Sequence, residues 1–576
     1  ISLEILTGII DVFKQPIYKD RIGDSTLSKE IKKIIDNESH INFVSIENNQ
    51  WYYYENHKWV VDTEGNKIKM YLKDKILLIF KKFYNNCREN IKSTKDEINK
   101  ITAFETTQQH NPISSMDDLL NSNTTELSNN ISTLEKGRKT VQELKLNQSD
   151  LEDSIDIAKN LVIYLENSTK RTTLVKELAT EFYDPDFYKL LDSNPNVFHC
   201  NNGIFDFETC TFRDGVPDDM ISISSKNNYI TDEVRFSDPE YQKYDTELNE
   251  FLDKLFPNSE MKEYMMNIWA LSLSGKTYIQ TFNVCTGSGS NGKSVNFELL
   301  SEVFGEYYCV ASPALLTKSR SDANAASPAV AVLLGKRIVC SEEPDEGESI
   351  KTGVMKEAVS GTQLSCRELH KPQKTFTPQY MLFFNCNDKP EIGSTDEGTW
   401  RRIRVSPYIS KFCDYSDVRL DNPTKYKNHF VKDYSVKTKF GNWKEVFLNE
   451  LIIRFKKLKK NDFKIPLPKI VKNAIDEYKS GYNIYEGFKK DCLIKTAGER
   501  LTIGEAFDTF KQYADQCNHK IRNINRNTFQ TEMIRVLCKL KGGSNKYWKD
   551  WTVIENYGDD DEDDDELNDS ESDIES

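Results

Sequence analysis

The sequence predicts an α/β core built around a phosphate-binding loop, preceded by an α+β region and followed by a winged-helix-like module. Three observations carry that expectation. Residues 287–294 read GSGSNGKS and satisfy G-x-x-x-x-G-K-[ST]. The apolar run Tyr278–Thr286 precedes the motif as a buried strand, and Val295–Phe304 follows it with apolar residues at helical spacing. Lys336–Glu343, about fifty residues further on, is a second short apolar strand that ends in two carboxylates.

Each part of the motif has a chemical reason. Gly287, Gly289 and Gly292 let the backbone curl, so that the N–H groups around Ser288, Ser290 and Asn291 and the helix N-terminus face an anion. Lys293 then reaches the β- and γ-phosphates of a nucleotide, and the Ser294 hydroxyl is a ligand for Mg²⁺. Of Glu342 and Glu343, one is expected to help hold the Mg²⁺ shell and the other to polarise the attacking water; Asp345, Glu346 and Glu348 leave the division of roles open.

Downstream, the strand-like Tyr380–Phe384 runs into Asn385 and Asn387, where an amide at a strand tip can orient water against the γ-phosphate; Asn387 is the first choice and Asn385 the second. Arg401 and Arg402 follow shortly and suggest a finger supplied to a neighbouring subunit's nucleotide. The alternative for them is ion pairing with Asp396 or Glu397. Between the strands, Gly361–Phe376 reads as a hairpin whose basic tip carries His370, Lys371 and Lys374, placed to meet the phosphates of a threaded strand.

Composition sets the bounds. A chain of 576 residues holds about three or four domains. It has no apolar run long enough to span a membrane and no signal peptide, which reads as a soluble, intracellular protein. The net charge of −14 is uneven: residues 559–576 hold twelve Asp/Glu and no Lys/Arg, leaving the rest nearly neutral with lysine patches such as Lys456, Lys457, Lys459 and Lys460. Twelve cysteines contain no C-x-x-C pair and read as reduced, buried small hydrophobes, and the seven histidines lack zinc spacing. The first residue is Ile, which suggests a fragment or processed piece.

Six regions are expected in order. Residues 1–180 form an α+β region with a hairpin at Trp51–Asp62, whose aromatics are either core or a platform for single-stranded bases, and with a flexible insertion over about 105–150. Residues 181–260 form a hairpin and helical collar, with the turn at Asn202-Gly203 and a helical stretch opened by Asp238-Pro239. The core spans 261–412 and a helical lid 413–480. The winged-helix-like module at 481–557 has helices near 504–518 and 526–540, with Lys539, Lys541, Lys546 and Lys549 near its wing. An acidic, disordered tail closes the chain at 558–576.

The set GSGSNGKS at 287–294, GKRIVCSEEPDEG at 335–347, FFNCNDKPEI at 383–392 and TDEGTWRRIRVSPY at 395–408 resembles superfamily 3 helicases of the poxvirus-type primase-helicase group, found also in phage and plasmid primases and in other nucleocytoplasmic large DNA viruses. The resemblance implies an AAA+-like ATPase that uses ATP and Mg²⁺, assembles as a hexameric ring and translocates on single-stranded or forked DNA, in host cytoplasm or at a viral replication site. It maps the loop lysine onto Lys293, the Walker B acids onto Glu342/Glu343, the sensor onto Asn387 and the finger onto Arg401/Arg402. The paired Glu342-Glu343 departs from relatives that carry a single Glu after a small residue. A primase domain or other replication proteins are the implied partners. The alternative is an ATP-switched loading factor without processive unwinding; a small-molecule kinase is a weaker third reading, because no acceptor lid is recognisable.

Overall fold

Period-two aromatics in the first region build a small antiparallel sheet. In a computed structural model, residues 3–18, 22–38, 42–109, 124–318, 328–343, 348–366, 374–392, 396–482, 484–516, 525–537, 539–543 and 545–554 are described. The chain divides into two compact units, 1–229 and 230–576, so the division falls inside the 181–260 stretch.

In the first unit, helices α1 (Leu3–Phe13) and α2 (Asp24–Asp36) precede strands β1 (Phe43–Ile46), β2 (Gln50–Glu55) and β3 (Lys58–Asp62), paired in that order. Asn56 and His57, with φ of 52° and 63°, make the two-residue turn between β2 and β3, the left-handed geometry that matches strand twist. Trp51, Tyr52 and Trp59 are buried, with Tyr52 and Trp59 5.0 and 4.9 Å from the Phe187 ring. These three rings are core, which overturns the base-stacking alternative for them.

Helix α3 (Asn66–Tyr71) leads into α4 (Leu77–Gln109), which pairs with α5 (Thr124–Glu166), and α6 (Ser168–Glu181) follows. The ion pairs Lys81–Glu166 (2.6 Å) and Lys95–Glu152 (3.3 Å) show that α4 and α5 run antiparallel. The expected insertion over 105–150 is therefore corrected: residues 124–150 are helical. Their weak sequence pattern suffices because α4 supplies the surface against which α5 buries Ala158, Leu161 and Leu165 further along. Strands β4 (Val197–Cys200), β5 (Gly203–Asp206) and β6 (Thr211–Arg213) form the predicted hairpin with one more strand. Cys200 pairs with Gly203, so the turn residues are Asn201-Asn202, one place earlier than expected.

The second unit opens with a short helix at Asp232–Ser237, followed by α7 (Pro239–Leu255), capped by the Asp238 carboxylate, and α8 (Ser259–Leu273), capped by Asn258. A five-stranded sheet then forms from β7 (Phe282–Thr286), β8 (Tyr308–Ala311), β9 (Ile338–Ser341), β12 (Met381–Asn385) and β13 (Ile403–Pro407). Its order is β13-β7-β12-β9-β8 and every pairing is parallel. Both faces are covered, which is why these strands read as apolar runs rather than alternations. Phe282, Val284, Leu382, Phe384, Ile403 and Val405 share a core with α10 (Thr352–Val359) and α12 (Lys469–Tyr482). Phe383 meets Phe297 of α9 (Lys293–Phe304), with ring centroids 5.5 Å apart. Helix α11 (Phe440–Lys460), expected as a lid, packs against α7, α8 and α9.

Two short strands, β10 (Leu364–Cys366) and β11 (Lys374–Phe376), pair as the predicted hairpin. Strands β14 (Lys411–Cys413) and β15 (His429–Val431) pair in parallel after the sheet. The C-terminal segment has α13 (Ile484–Cys492), β16 (Leu493–Ile494), β17 (Arg500–Thr502), α14 (Ile503–Gln516), α15 (Arg526–Val536), β18 (Tyr547–Lys549) and β19 (Thr552–Val553). Between β18 and β19 the chain turns at Asp550, whose φ is 61° and whose carboxylate accepts the Gly498 N–H at 2.9 Å. The acidic tail lies outside the described residues.

Candidate functional site

Three chain segments arrive at the carboxyl ends of neighbouring parallel strands, where α/β sheets place ligands. The loop 287–292 follows β7, Glu342 and Glu343 follow β9, and Asn387 follows β12. Because β12 lies between β7 and β9, these three strand ends are adjacent.

The loop curls as its glycines require. Gly289 and Gly292 have φ of 76° and 83°, a region costly for other residues, and Ser290 at 50° shares it. A Cβ on Gly287 would lie 1.9 Å from Asn291 Nδ2, so only glycine fits there. Asn291 is buried, its Oδ1 accepts the Lys293 N–H at 3.3 Å, and its Nδ2 has no hydrogen-bond partner among the described residues. An orphaned donor in a glycine-walled turn is an unmet demand for an acceptor.

Lys293 is the first residue of α9 and only 8% exposed. Its ammonium donates to Gly287 O and Cys386 O, both at 2.8 Å, and to Asn387 Oδ1 at 3.3 Å. No carboxylate pairs with it among the described residues, and burial pulls its pKa below that of an ordinary lysine. Ser294 is exposed and its hydroxyl makes no hydrogen bond among the described residues.

The two choices left open in the sequence separate geometrically. Asn385, still in β12, turns its Nδ2 to Cys340 Sγ at 3.1 Å, inside the sheet. Asn387, two residues on and exposed, faces Lys293. Its backbone N–H donates to Glu343 Oε2 at 3.2 Å, which ties the second acid to the loop lysine through one residue. Glu342 instead lies near Tyr308 of β8, whose pKa burial and nearby acidic groups push up. Asp345 and Glu346 lie outside the described residues.

Arg401 and Arg402 sit elsewhere. They precede Ile403, which pairs with Phe282 at the start of β7, whereas the loop leaves the far end of that strand. Five residues of strand separate the two ends, about 16 Å. Arg402 donates to Gly398 O at 2.6 Å, and neither arginine forms an ion pair with Asp396 or Glu397; Asp396 is bound to Lys356 at 2.8 Å. Arg401, Arg402 and Arg404 line one recess with Tyr264, Gln280 and Thr281.

The hairpin prediction divides. His370 and Lys371 lie outside the described residues. Lys374 is corrected: it belongs to β11, paired with Cys366, and is 7% exposed rather than displayed at a tip.

A model described as D5 N terminal like matches residues 31–257, and a family of unknown function, DUF5906, matches 285–402. The second match begins in β7 and ends at Arg402, so it encloses the loop, both acids and the tandem arginines. An Acanthamoeba polyphaga mimivirus protein named "Putative helicase L207/L206" is 35% identical over 64% of this chain and 38% of its own length. "Putative helicase 121R" of Invertebrate iridescent virus 3 is 27% identical over 69% of this chain and 43% of its own. "Putative primase C962R" of African swine fever virus is 22% identical over 62% and 37%.

By these likenesses, the chain is similar to a viral primase-helicase family. It spans about two fifths of the length of these primase-helicase relatives. Among the described residues no helix is long and apolar enough to cross a membrane.

Proposed function

We propose that this chain is the ATP-hydrolysing part of a superfamily 3 DNA helicase, an AAA+-like module that works as a hexameric ring on single-stranded or forked DNA. The observation that carries the reading is an opposition across one sheet. Lys293, Asn387 and Glu343 meet at the carboxyl end of the strands, while Arg401 and Arg402 stand at the amino end. A nucleotide on this loop can receive the Arg401 or Arg402 guanidinium only from another copy, and a head-to-tail contact of that kind forms a ring where its rotation closes. Which of Arg401 and Arg402 reaches across is a matter for mutation of each in turn.

ATP and Mg²⁺ fit the residues present. The unpartnered Asn291 Nδ2, the glycine walls and the Lys293 ammonium suit phosphate oxygens, and the free Ser294 hydroxyl suits a hard cation. No three His, Cys, Asp or Glu side chains converge among the described residues, in keeping with a cation whose remaining ligands are phosphate and water. When bound, Mg²⁺ offsets charge on the transferring phosphoryl group. Glu343 is the better-placed acid for activating water, with Asn387 holding that water in line. The hairpin tip with His370 and Lys371 is the proposed contact to the DNA backbone.

Strand displacement from a forked duplex tests the reading. Wild-type chain should unwind it with ATP, and Lys293→Ala should not. Unwinding by Lys293→Ala defeats the proposal, and nucleotide-dependent ring assembly with no unwinding by the wild type favours the loading-factor alternative.

A further inference from the structure

Arg402 and Arg404 flank Ile403, and Ile403 and Val405 of β13 face the core shared with α10 and α12. Strand alternation therefore sends both arginines to the other face of the sheet. Thr281 joins them there. It precedes Phe282, which belongs to the same core and pairs with Ile403, and the Phe282 N–H donates to Arg402 O at 2.8 Å. With Arg401, these side chains line a recess of about 360 Å³ whose other walls include Tyr264 and Ile268 of α8.

The recess asks for a negative charge that the chain itself does not supply. No Asp or Glu lines it, and none of the three guanidiniums has a carboxylate partner among the described residues. Arg404 uses one nitrogen, Nη1, to donate to Arg401 O at 2.9 Å and Ile403 O at 2.8 Å, which holds the Arg401 main chain against the strand. Arg402 donates to Gly398 O at 2.6 Å and Gln280 Oε1 at 3.5 Å, while its Nε is buried without a hydrogen-bond partner among the described residues. Thr281 is only 6% exposed, and its hydroxyl also lacks a partner among the described residues. Two buried polar groups left open beside a cavity call for a ligand, and three like charges without a counter-charge repel until an anion arrives. The planar forks of guanidinium match the oxygens of a phosphate.

We infer that this recess is an oxyanion seat for the terminal phosphate of a nucleotide held on the loop of a second copy, and that Thr281 and Arg404 belong to it beside Arg401 and Arg402. The inference rests on the proposed shared site and adds two residues to it, turning a projecting side chain into a concave seat.

Steady-state ATP turnover by the full chain, with denaturant unfolding of the same preparations, tests it. Thr281→Val keeps the side chain's shape and deletes only the unpartnered hydroxyl, so stability should hold or rise while turnover falls about 10- to 150-fold. Arg404→Met should lower turnover by a similar factor, and Arg404→Lys, which keeps the charge without the fork, by less. Mixing Thr281→Val with Lys293→Ala chains should restore part of the turnover, because some interfaces then join an intact loop to an intact seat. Full turnover by Thr281→Val, or a fall that mixing does not relieve, overturns the inference. Weakened binding of single-stranded DNA with turnover intact also overturns it and gives the recess to a nucleic-acid backbone. If Thr281→Val fails to fold, the two Arg404 variants decide by the same mixing. Arg401→Ala and Arg402→Ala are the separate control: if neither lowers turnover the shared-site reading itself fails, whereas a loss in one of them with Thr281→Val at full speed overturns only the seat.

Discussion

Replacing Lys293 by methionine separates folding from ligand binding in one experiment. The ammonium makes three hydrogen bonds, at 2.8, 2.8 and 3.3 Å, each to a neutral oxygen. A bond with one charged partner contributes about 1.5–3 kcal/mol. Against these stands the desolvation of an ammonium with no carboxylate partner, which costs several kcal/mol in a real protein. The opposing quantities are of the same order, so Lys293→Met should change stability by no more than about 2 kcal/mol in either direction. Methionine preserves the length of the side chain and leaves the buried Cys386 carbonyl and the part-buried Gly287 carbonyl without that donor.

Binding should respond differently. A triphosphate loses a charge-assisted contact worth about 1.5–3 kcal/mol, a 10- to 150-fold fall in affinity. Chemical denaturation and ATP titration on the same preparation read both quantities. A loss of stability above about 3 kcal/mol together with unchanged ATP affinity would show that the lysine is a structural brace, and the reasoning fails.

The remaining predictions concern other parts of the molecule. Arg401→Ala and Arg402→Ala should be tested singly, and the variant lacking the finger should lose about 10³- to 10⁵-fold in ATP turnover. Mixing that variant with Lys293→Ala should restore part of the activity, since some interfaces then combine an intact loop with an intact arginine; no restoration argues against shared sites. Arg235, 3% exposed and bound to Asn449 at 3.1 Å, Glu450 at 2.9 Å and also Asp245, anchors the helices of the second unit. Arg235→Ala should cost about 1.5–3 kcal/mol in denaturant unfolding, because it removes charge-assisted bonds to the half-buried Asp245 and Glu450, the latter keeping Arg454. Burial holds the Lys293 pKa below the ordinary lysine value and a bound triphosphate restores it, so binding takes up a proton between the two. ATP affinity should therefore fall as pH rises through the lowered pKa, and a Lys293→Met chain should lose that dependence.

Much of the site was legible because its signals are local. The loop needs glycines at set positions within eight residues, and the buried strand and helix around it show in the apolar run and spacing. Helices α14 and α15 and the two N-terminal hairpins emerged for the same reason. Two expectations failed, and one open choice was decided, where a neighbour remote in sequence sets the outcome. The weakly patterned stretch after residue 124 is helical because α4 lies alongside. Trp51 and Trp59 are core because α-helices and Phe187 cover them. Lys374 is buried because antiparallel pairing with Cys366 draws it back from the tip. The attachment of residue 412 to the loop carried no sequence signal, since the Phe412 N–H bond to Ser290 O is a main-chain bond that side-chain identity does not record.

From its residues alone, this chain could be assigned a phosphate-binding loop, two acids on a strand end, candidate amides and tandem arginines, because each is a short-range pattern imposed by backbone geometry and charge. Only the tertiary structure set the first-choice Asn387 against Lys293, brought Glu343 rather than Glu342 to the lysine's side, and put the arginines at the opposite end of the sheet. Those choices follow from strand order and register, which are fixed by how whole faces pack against their covering helices, a condition no single segment contains.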